Sequence, residues 1–231
     1  DNMFQITPSA SAAKVIANDN CFQVCFTDPN QGTASADYIA SKGLATKVAV
    51  IYNSSDAYSS GIYDNFKAEA AAKGLDLVAS EAFTGDSKQD FSSQLSKIKA
   101  SGAELIFLPI YYQEASLILS QAKNAGITAK FFGCDGLDGL LNIENFDKSL
   151  AENVMLLTPF AANATDETTK KFVTAYNAKY DPSTLNQFAA DAYDAVYVVK
   201  AAAEKAGVTG DMSVSDICNA LKGAMTEITV D

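Results

Sequence analysis

Asp135 is the residue whose type and position are best suited to bind a charged ligand. It follows the apolar pair Phe131 and Phe132, and glycines stand nearby at positions 133, 136 and 139. Open parallel α/β sheets bind ligands beyond the carboxyl ends of their strands, and glycine permits close approach of the backbone. We interpret Asp135 as a ligand-binding carboxylate. The alternative, which the frequency of aspartate in turns favours, is an Asx turn or a cap of the next short helix.

The segment 6–14 contains a second candidate site. Pro8 sets a turn, and Ser9 and Ser11 then offer hydroxyl and backbone N–H donors at what the pattern predicts to be the start of a helix. Unpaired N–H groups at a helix start can bind an anion. The competing interpretation, which the frequency of such caps favours, is an ordinary N-cap.

Composition excludes several functional classes. The 231 residues include 17 Lys and Arg against 28 Asp and Glu, a net charge of −11, so we expect no nucleic-acid partner. Histidine is absent, which removes the commonest general base, the usual zinc ligand and every Ser-His or Cys-His pair. No P-loop, G-x-S-x-G, C-x-x-C or dinucleotide-binding glycine motif is present. Asp135 and Asp138 are the only pair of carboxylates that is a candidate for acid–base catalysis, and their three-residue spacing is more typical of a capped short helix. We expect neither an enzyme nor a cofactor.

The four cysteines, Cys21, Cys25, Cys134 and Cys218, do not have metal-ligand spacing. On a strand over 21–26, Cys21 and Cys25 would lie ~13 Å apart, too far for a disulfide. We expect four small buried thiols, which indicate a reducing or anoxic setting. The chain starts without Met and stops at 227–231 in what looks like an interrupted strand or loop, so we expect a fragment or processed form.

Strand-like and helix-like segments alternate along the middle of the chain. The expected strands are 47–53, 75–79, 104–109, 129–132 and 153–157, and the expected helices are 31–42, 59–73, 90–100, 113–124 and a short one over 137–141. This alternation predicts an α/β fold, a doubly wound parallel sheet with helices on both faces.

After residue 158 the pattern becomes helical. Helices are expected over 166–179, 188–205 and 213–222, and the second is apolar on most sides. They must cover a sheet to which residues 1–28 contribute one or two strands.

Six motifs occur along the chain in the same order as in a known family. In this respect the chain resembles the substrate-binding proteins of branched-chain amino-acid ABC importers. The motifs are Ile6–Ser11, Phe26–Gly32, Ala57–Ile62, Pro109–Tyr112, Phe132–Gly136 and Phe188–Asp194. No single motif is specific, but the ordered set covers nearly the whole chain. The resemblance implies the type I periplasmic-binding fold, in which two lobes close on a small ligand. It further implies that this chain lacks N-terminal and C-terminal sequence of the family.

The resemblance also implies a domain organisation and a setting. Residues 1–28 would be part of the first lobe, 29–158 the complete second lobe, and 159–231 the remainder of the first lobe. Hinge strands would cross at 27–29 and at 158–159. The protein would act outside the cytoplasm, periplasmic or lipid-anchored, and deliver an amino acid to the membrane permease of an ABC importer. The alternative is a ligand-sensing input domain of the same fold.

Carried over position by position, the resemblance assigns roles to seven residues. Ser9, Ala10 and Ser11 would hold the α-carboxylate of the ligand, and Asp135 would meet its α-ammonium group. Tyr58 and Tyr111 would close over the ligand from the second lobe, and Phe188 would give an apolar contact from the first. Each aromatic is otherwise more typical of a core. The resemblance implies a small amino acid as ligand, branched-chain or otherwise apolar. Family members usually carry glutamate at the position of Asp135, so the resemblance does not fix which amino acid it is. An incomplete first lobe also predicts self-association.

Overall fold

The computed structural model describes residues 2–230. Asp1 and Asp231, the outer limits of the segments 1–28 and 159–231 expected above, lie outside the described residues. The strands are β1 Gln5–Thr7, β2 Cys21–Gln23, β3 Lys47–Asn53, β4 Asp76–Phe83, β5 Leu105–Leu108, β6 Lys130–Gly133 and β7 Val154–Leu156. The α-helices are α1 Asp28–Ser41, α2 Ala57–Ala72, α3 Ser92–Ser101, α4 Tyr112–Asn124, α5 Glu167–Asn177, α6 Gln187–Ala206 and α7 Val214–Met225.

The larger sheet is fully parallel and has the strand order β4-β3-β5-β6-β7. Its central strands β3 and β5 are apolar almost throughout because helices cover them on both faces. β4 is added on one side of β3, whereas β5, β6 and β7 are added on the other side, so the order in which strands are added reverses between β3 and β5. A crevice therefore opens beyond the carboxyl ends of these two strands.

Two layers of helices enclose this sheet. α1 and α2 cover one face, where Phe66 stacks on Phe107 with ring centroids 4.0 Å apart. α3 and α4 cover the other face through Leu95, Ile98 and Ile118. These residues recur at helical spacing, as the amphipathic pattern predicts.

α1 and α2 approach each other closely at Gly32. A Cβ atom on Gly32 would lie 2.5 Å from the Ile62 carbonyl oxygen and 2.7 Å from the Phe66 nitrogen. Only glycine permits this contact. The contact fixes the distance between the two helices where Gly32 of α1 meets the middle of α2.

A smaller body is formed by the two ends of the chain. β1 and β2 pair in parallel, with Gln5 opposite Cys21 and Thr7 opposite Gln23. α6 packs on α7 through Ala202 and Leu221, and Phe4 joins this cluster from the segment before β1. Of the expected helices after residue 158, α6 therefore packs on the short sheet made by the first residues of the chain, and α7 packs on α6.

Three local expectations are wrong. β2 ends at Gln23 rather than Phe26, because the chain bends at Val24 and the Gln23 side chain donates to the Cys25 carbonyl oxygen at 3.0 Å. No helix starts at Ser9–Ser11; a four-residue 3-10 helix begins at Ala13 instead. The helix expected over 137–141 is replaced by two 3-10 turns, Asp135–Leu137 and Leu140–Asn142, which Gly139 separates at a φ of 106°.

Candidate functional site

Asp135 lies directly beyond the end of β6 and is only 4% exposed. The Tyr58 hydroxyl donates to Asp135 Oδ1 at 2.5 Å, and the Gly136 N–H donates to the same hydroxyl oxygen at 2.9 Å. Tyr58 is in the first turn of α2 because the Asp56 side chain caps that helix, accepting from the Ser59 N–H at 2.9 Å. The carboxylate is therefore held in a fixed orientation by a neutral group.

Two glutamines hold the peptide groups of the same turn. Gln31 Oε1 of α1 accepts from the Asp135 N–H at 3.3 Å, and Gln187 Nε2 of α6 donates to the Asp135 carbonyl oxygen at 2.9 Å. The Gln187 N–H in turn donates to Asp138 Oδ2 at 2.8 Å. Asp138 thus accepts a hydrogen bond from the first residue of α6. The sequence predicts a different role, either in an acid–base pair with Asp135 or in a capped short helix.

Both glutamines were missed by sequence reasoning. Each is fully buried and lies in the first turn of a helix, Gln31 in α1 and Gln187 in α6. That combination of a polar residue type and a helix start is the signal that could have identified them.

Gly136 follows Asp135 with no room for a side chain. A Cβ atom there would lie 2.7 Å from the Ile110 carbonyl oxygen and 2.7 Å from the Tyr58 hydroxyl. The turn after β6 therefore packs directly on the segment after β5. This is the close backbone approach that the glycines near Asp135 predict.

Tyr111 forms an aromatic wall with Tyr58. The two rings stack with centroids 4.8 Å apart and an interplanar angle of 19°. Tyr58 is buried, whereas Tyr111 is 43% exposed and faces the crevice beyond β5. Burial, and to a lesser extent the charge of Asp56, raises the pKa of Tyr111 to about 12. Burial also raises the pKa of Tyr58, so both phenols stay neutral at physiological pH.

The remaining predicted residues lie on the smaller body. Ser9 and Ala10 are exposed, and the Ala10 N–H donates to Thr7 Oγ1 at 3.0 Å. Ser11 is buried, and its carbonyl oxygen accepts from the Asp28 N–H at 3.0 Å. Because no helix begins here, an anion would be bound by hydroxyl and peptide N–H groups without help from a helix dipole. Phe188 is half-buried in the first turn of α6, next to Gln187.

The site is strongly acidic. Burial, the largest effect, raises the pKa of Asp135 above its usual range, while hydrogen bonds from Tyr58 and Gln31 oppose the shift. Burial likewise raises the pKa of Asp28 and that of Asp191 to about 6, and the charge of Asp135 adds to both. Among residues 2–230, no lysine forms an ion pair with any of these three carboxylates. The arrangement is suited to receive a cationic group.

Other features limit the chemistry of the described residues. In the span 2–230, no three His, Cys, Asp or Glu side chains are grouped so that they could hold a metal ion. All four cysteines are free thiols, and burial raises the pKa of Cys25 to about 11, which keeps it protonated. None of the described helices combines the length and apolar character needed to cross a bilayer.

Comparisons with known proteins agree with the fold. Residues 1–230 match the family described as periplasmic binding protein. A relative from Brucella melitensis, Leu/Ile/Val-binding protein homolog 3, is 33% identical over 214 residues, covering 91% of this chain and 56% of the relative. The leucine binding protein LivK of Thermotoga maritima superposes with a TM-score of 0.82 at 27% identity, covering 95% of this chain and 61% of that structure.

A second solved structure is similar to the same degree. The branched-chain amino acid transporter substrate binding protein LivJ of Streptococcus pneumoniae, in complex with isoleucine, gives a TM-score of 0.82 at 29% identity. It too is matched over 95% of this chain and 61% of its own length. This chain therefore spans between 56% and 61% of the length of these three relatives. The comparisons confirm the resemblance drawn from the six motifs and the predicted α/β fold class. The chain belongs to the periplasmic binding protein family, with the type I fold.

Proposed function

We propose that this chain binds a small α-amino acid in the crevice beyond the carboxyl ends of β3, β5 and β6. The observation that carries the proposal is Asp135, a buried carboxylate oriented by neutral groups at a sheet edge that contains no pairing cation among residues 2–230. A buried carboxylate without a cation is costly. An α-ammonium group from a ligand would supply the missing charge.

The other predicted residues complete the amino-acid site. Ser9, Ala10 and Ser11 would bind the α-carboxylate from the opposite wall with hydroxyl and N–H donors, which require no cation. The Ala10 N–H would exchange Thr7 Oγ1 for the ligand. Tyr58 and Tyr111 would cover the ligand side chain from one body, and Phe188 would contact it from the other. We assign residues 29–158 to one lobe, and 1–28 with 159–231 to the other, with the ligand between them.

We further propose that the bound amino acid is delivered to the membrane permease of an ABC importer, outside the cytoplasm. The relatives named for binding leucine, isoleucine and valine support this class of ligand. Differential affinity for the closed arrangement of the two lobes would drive capture.

We also propose that the chain self-associates, because α6 exposes Tyr193, Val196 and Tyr197 on its outer side.

The test is a thermal-shift and calorimetric screen of the 231-residue chain against the common amino acids and a few sugars. A ligand at about 100 times its dissociation constant stabilises the folded chain by ~2.7 kcal/mol, a shift of several degrees. Asp135→Asn should abolish the shift while keeping a group that accepts from Tyr58. Asp76→Asn is the matched control, since Asp76 is exposed at the opposite end of the sheet. A response to sugars alone, or full binding by Asp135→Asn, would remove the amino-acid assignment.

A further inference from the structure

A second carboxylate of the site, Asp191, lies one helical turn beyond Gln187 on α6. Residues four apart on a helix share one face, with side chains ~6 Å apart. Gln187 reaches the Asp135 carbonyl oxygen at 2.9 Å, so that face of α6 points toward the turn after β6. Asp191 therefore lies on the wall that faces Asp135, on the body that carries Phe188.

Asp191 is 7% exposed, and within residues 2–230 its carboxylate forms no hydrogen bond or ion pair. The charged groups that affect it are all acidic: Asp194 on its own helix, then Asp135 and Asp138 across the crevice. Burial first, and then the charges of Asp191 and Asp135, raise the pKa of the Cys25 thiol. A buried carboxylate in this environment lacks both a counter-charge and a donor.

A largely buried carboxylate without a partner is destabilising, whereas a charge-assisted hydrogen bond from a ligand would offset that cost. A single α-ammonium group bound by Asp135 leaves Asp191 unpaired. A second amino group on the ligand side chain would satisfy it. The two amino groups of lysine can lie up to ~7.5 Å apart, given six bonds near 1.5 Å long. One such ligand could therefore place an amino group at each of two carboxylates on facing walls of one crevice.

We propose, on the basis of the function proposed above, that the ligand is an amino acid with a cationic side chain, whose second amino group binds Asp191. The lysine–ornithine class has this chemistry. The net charge of −11 favours the approach of such a ligand over that of a neutral one. Asp191 then determines specificity, while Asp135 recognises the group common to all amino acids.

The experiment compares lysine with norleucine, which has the same four-carbon side chain but no terminal ammonium group. Calorimetric titrations of the 231-residue chain should give lysine a dissociation constant at least tenfold lower. Asp191→Asn should weaken lysine binding roughly tenfold to a hundredfold, the usual range for losing a hydrogen bond to a charged group. The same variant should leave norleucine binding within about twofold.

Glu204→Gln is the matched control because it removes the same charge from an exposed position near the other end of α6, and Glu204 is not among the groups that affect Asp191. It should change neither affinity by more than about twofold. Asp191→Ser provides a second variant, and urea unfolding without ligand checks that each variant is folded.

Tighter binding of norleucine than of lysine, with Asp191→Asn unchanged, would overturn this inference and keep the amino-acid function. Absence of binding by lysine, norleucine and every other amino acid would instead overturn the proposed function itself. Equal binding of lysine and cadaverine, which has no α-carboxylate, would support a role for Asp191 in cation binding and overturn the assignment of Ser9–Ser11.

Discussion

The Tyr58 hydroxyl donates to Asp135 Oδ1 and accepts from the Gly136 N–H, so one phenol oxygen joins the first turn of α2 to the turn after β6. The two residues are 77 positions apart in sequence. The phenol acts as donor and acceptor at once, which uses both of its hydrogen-bonding functions. The orientation of the carboxylate therefore depends on where α2 begins.

Replacing Tyr58 with phenylalanine should destabilise the chain and weaken ligand binding. The change leaves a buried carboxylate oxygen and the Gly136 N–H without their partner, a loss of ~1–3 kcal/mol in the free energy of unfolding. Urea denaturation would measure it. Tyr63→Phe is the control, because Tyr63 is also buried in α2 but stacks on Tyr52 away from Asp135. Equal stability of both variants would show that the hydroxyl contributes nothing.

Tyr111→Ala should separate binding from stability. Tyr111 is partly exposed and stacks on Tyr58 over the crevice, so its loss should cost at most ~1.5 kcal/mol of stability. Ligand affinity should fall by roughly tenfold, since a side chain of the ligand would lose an aromatic wall. Tyr38→Ala removes a similarly exposed ring that packs on Phe132, and affinity should not change. Equal affinity of Tyr111→Ala and the unaltered chain would place the ligand elsewhere.

Sequence periodicity predicts the larger sheet well and the turn after β6 poorly. β3 and β5 are recognisable because a strand covered on both faces must be apolar at nearly every position. The turn at Asp135–Leu137 is instead held by residues far away in the chain, Gln31, Tyr58 and Gln187. No local pattern contains such contacts. The sequence therefore predicts Asp135 as a candidate but not the groups that orient it.

Because α1 and α2 touch at Gly32, a substitution of this glycine should strongly lower the stability of the chain. In Gly32→Ala the new Cβ would meet backbone atoms of α2, and the helices must separate, at a cost of roughly 1–3 kcal/mol or more. Gly223→Ala is the control, since a Cβ at this position in α7 meets nothing within 4 Å. It should stabilise the chain by up to ~1 kcal/mol. Thermal unfolding of both variants would test the contrast, and a neutral Gly32→Ala would contradict it.

The acidic site should make stability depend on pH. Burial raises the pKa of Asp28 and Asp191 from 3.8 to about 6, so between these values the folded chain binds more protons than the unfolded chain. Their stabilisation is complete below 3.8 and is lost as the pH rises through about 6. The free energy of unfolding without ligand should therefore fall as the pH rises from 3.8 to about 6 and level off above that, by up to about 1.4 kcal/mol for each unit of pKa shift.

Asp28→Asn with Asp191→Asn should flatten that dependence, as measured by urea unfolding across the pH range. Carboxylates with a lowered pKa act in the opposite direction at lower pH. Glu104, which accepts from the Thr46 and Lys47 N–H groups, loses its stabilising effect as the pH falls through its pKa. An unchanged slope in the double variant would show that other groups control the pH response.

The outer side of α6 predicts concentration-dependent self-association. Tyr193, Val196 and Tyr197 are 45%, 65% and 45% exposed and lie along one stripe of the helix. Beside them is a groove of about 530 Å³ lined by Val24, Phe160 and Phe172 among others. Sedimentation velocity should show species larger than a monomer, and Val196→Lys should shift them to monomer. Val214→Lys, at an exposed position of α7, should not. A monomer at all concentrations would contradict the prediction.

The contact between Gly136 and the segment after β5 restricts how selectivity could be re-engineered. Any side chain at that position would collide with the Ile110 carbonyl oxygen, so variation there would disrupt the turn rather than adjust it. The start of α4 and the first two turns of α6 have no such restriction, because Tyr111 opens toward solvent and Asp191 has no partner among residues 2–230. A library that diversifies these helix starts and keeps Gly136 fixed would therefore explore new ligands without losing the scaffold.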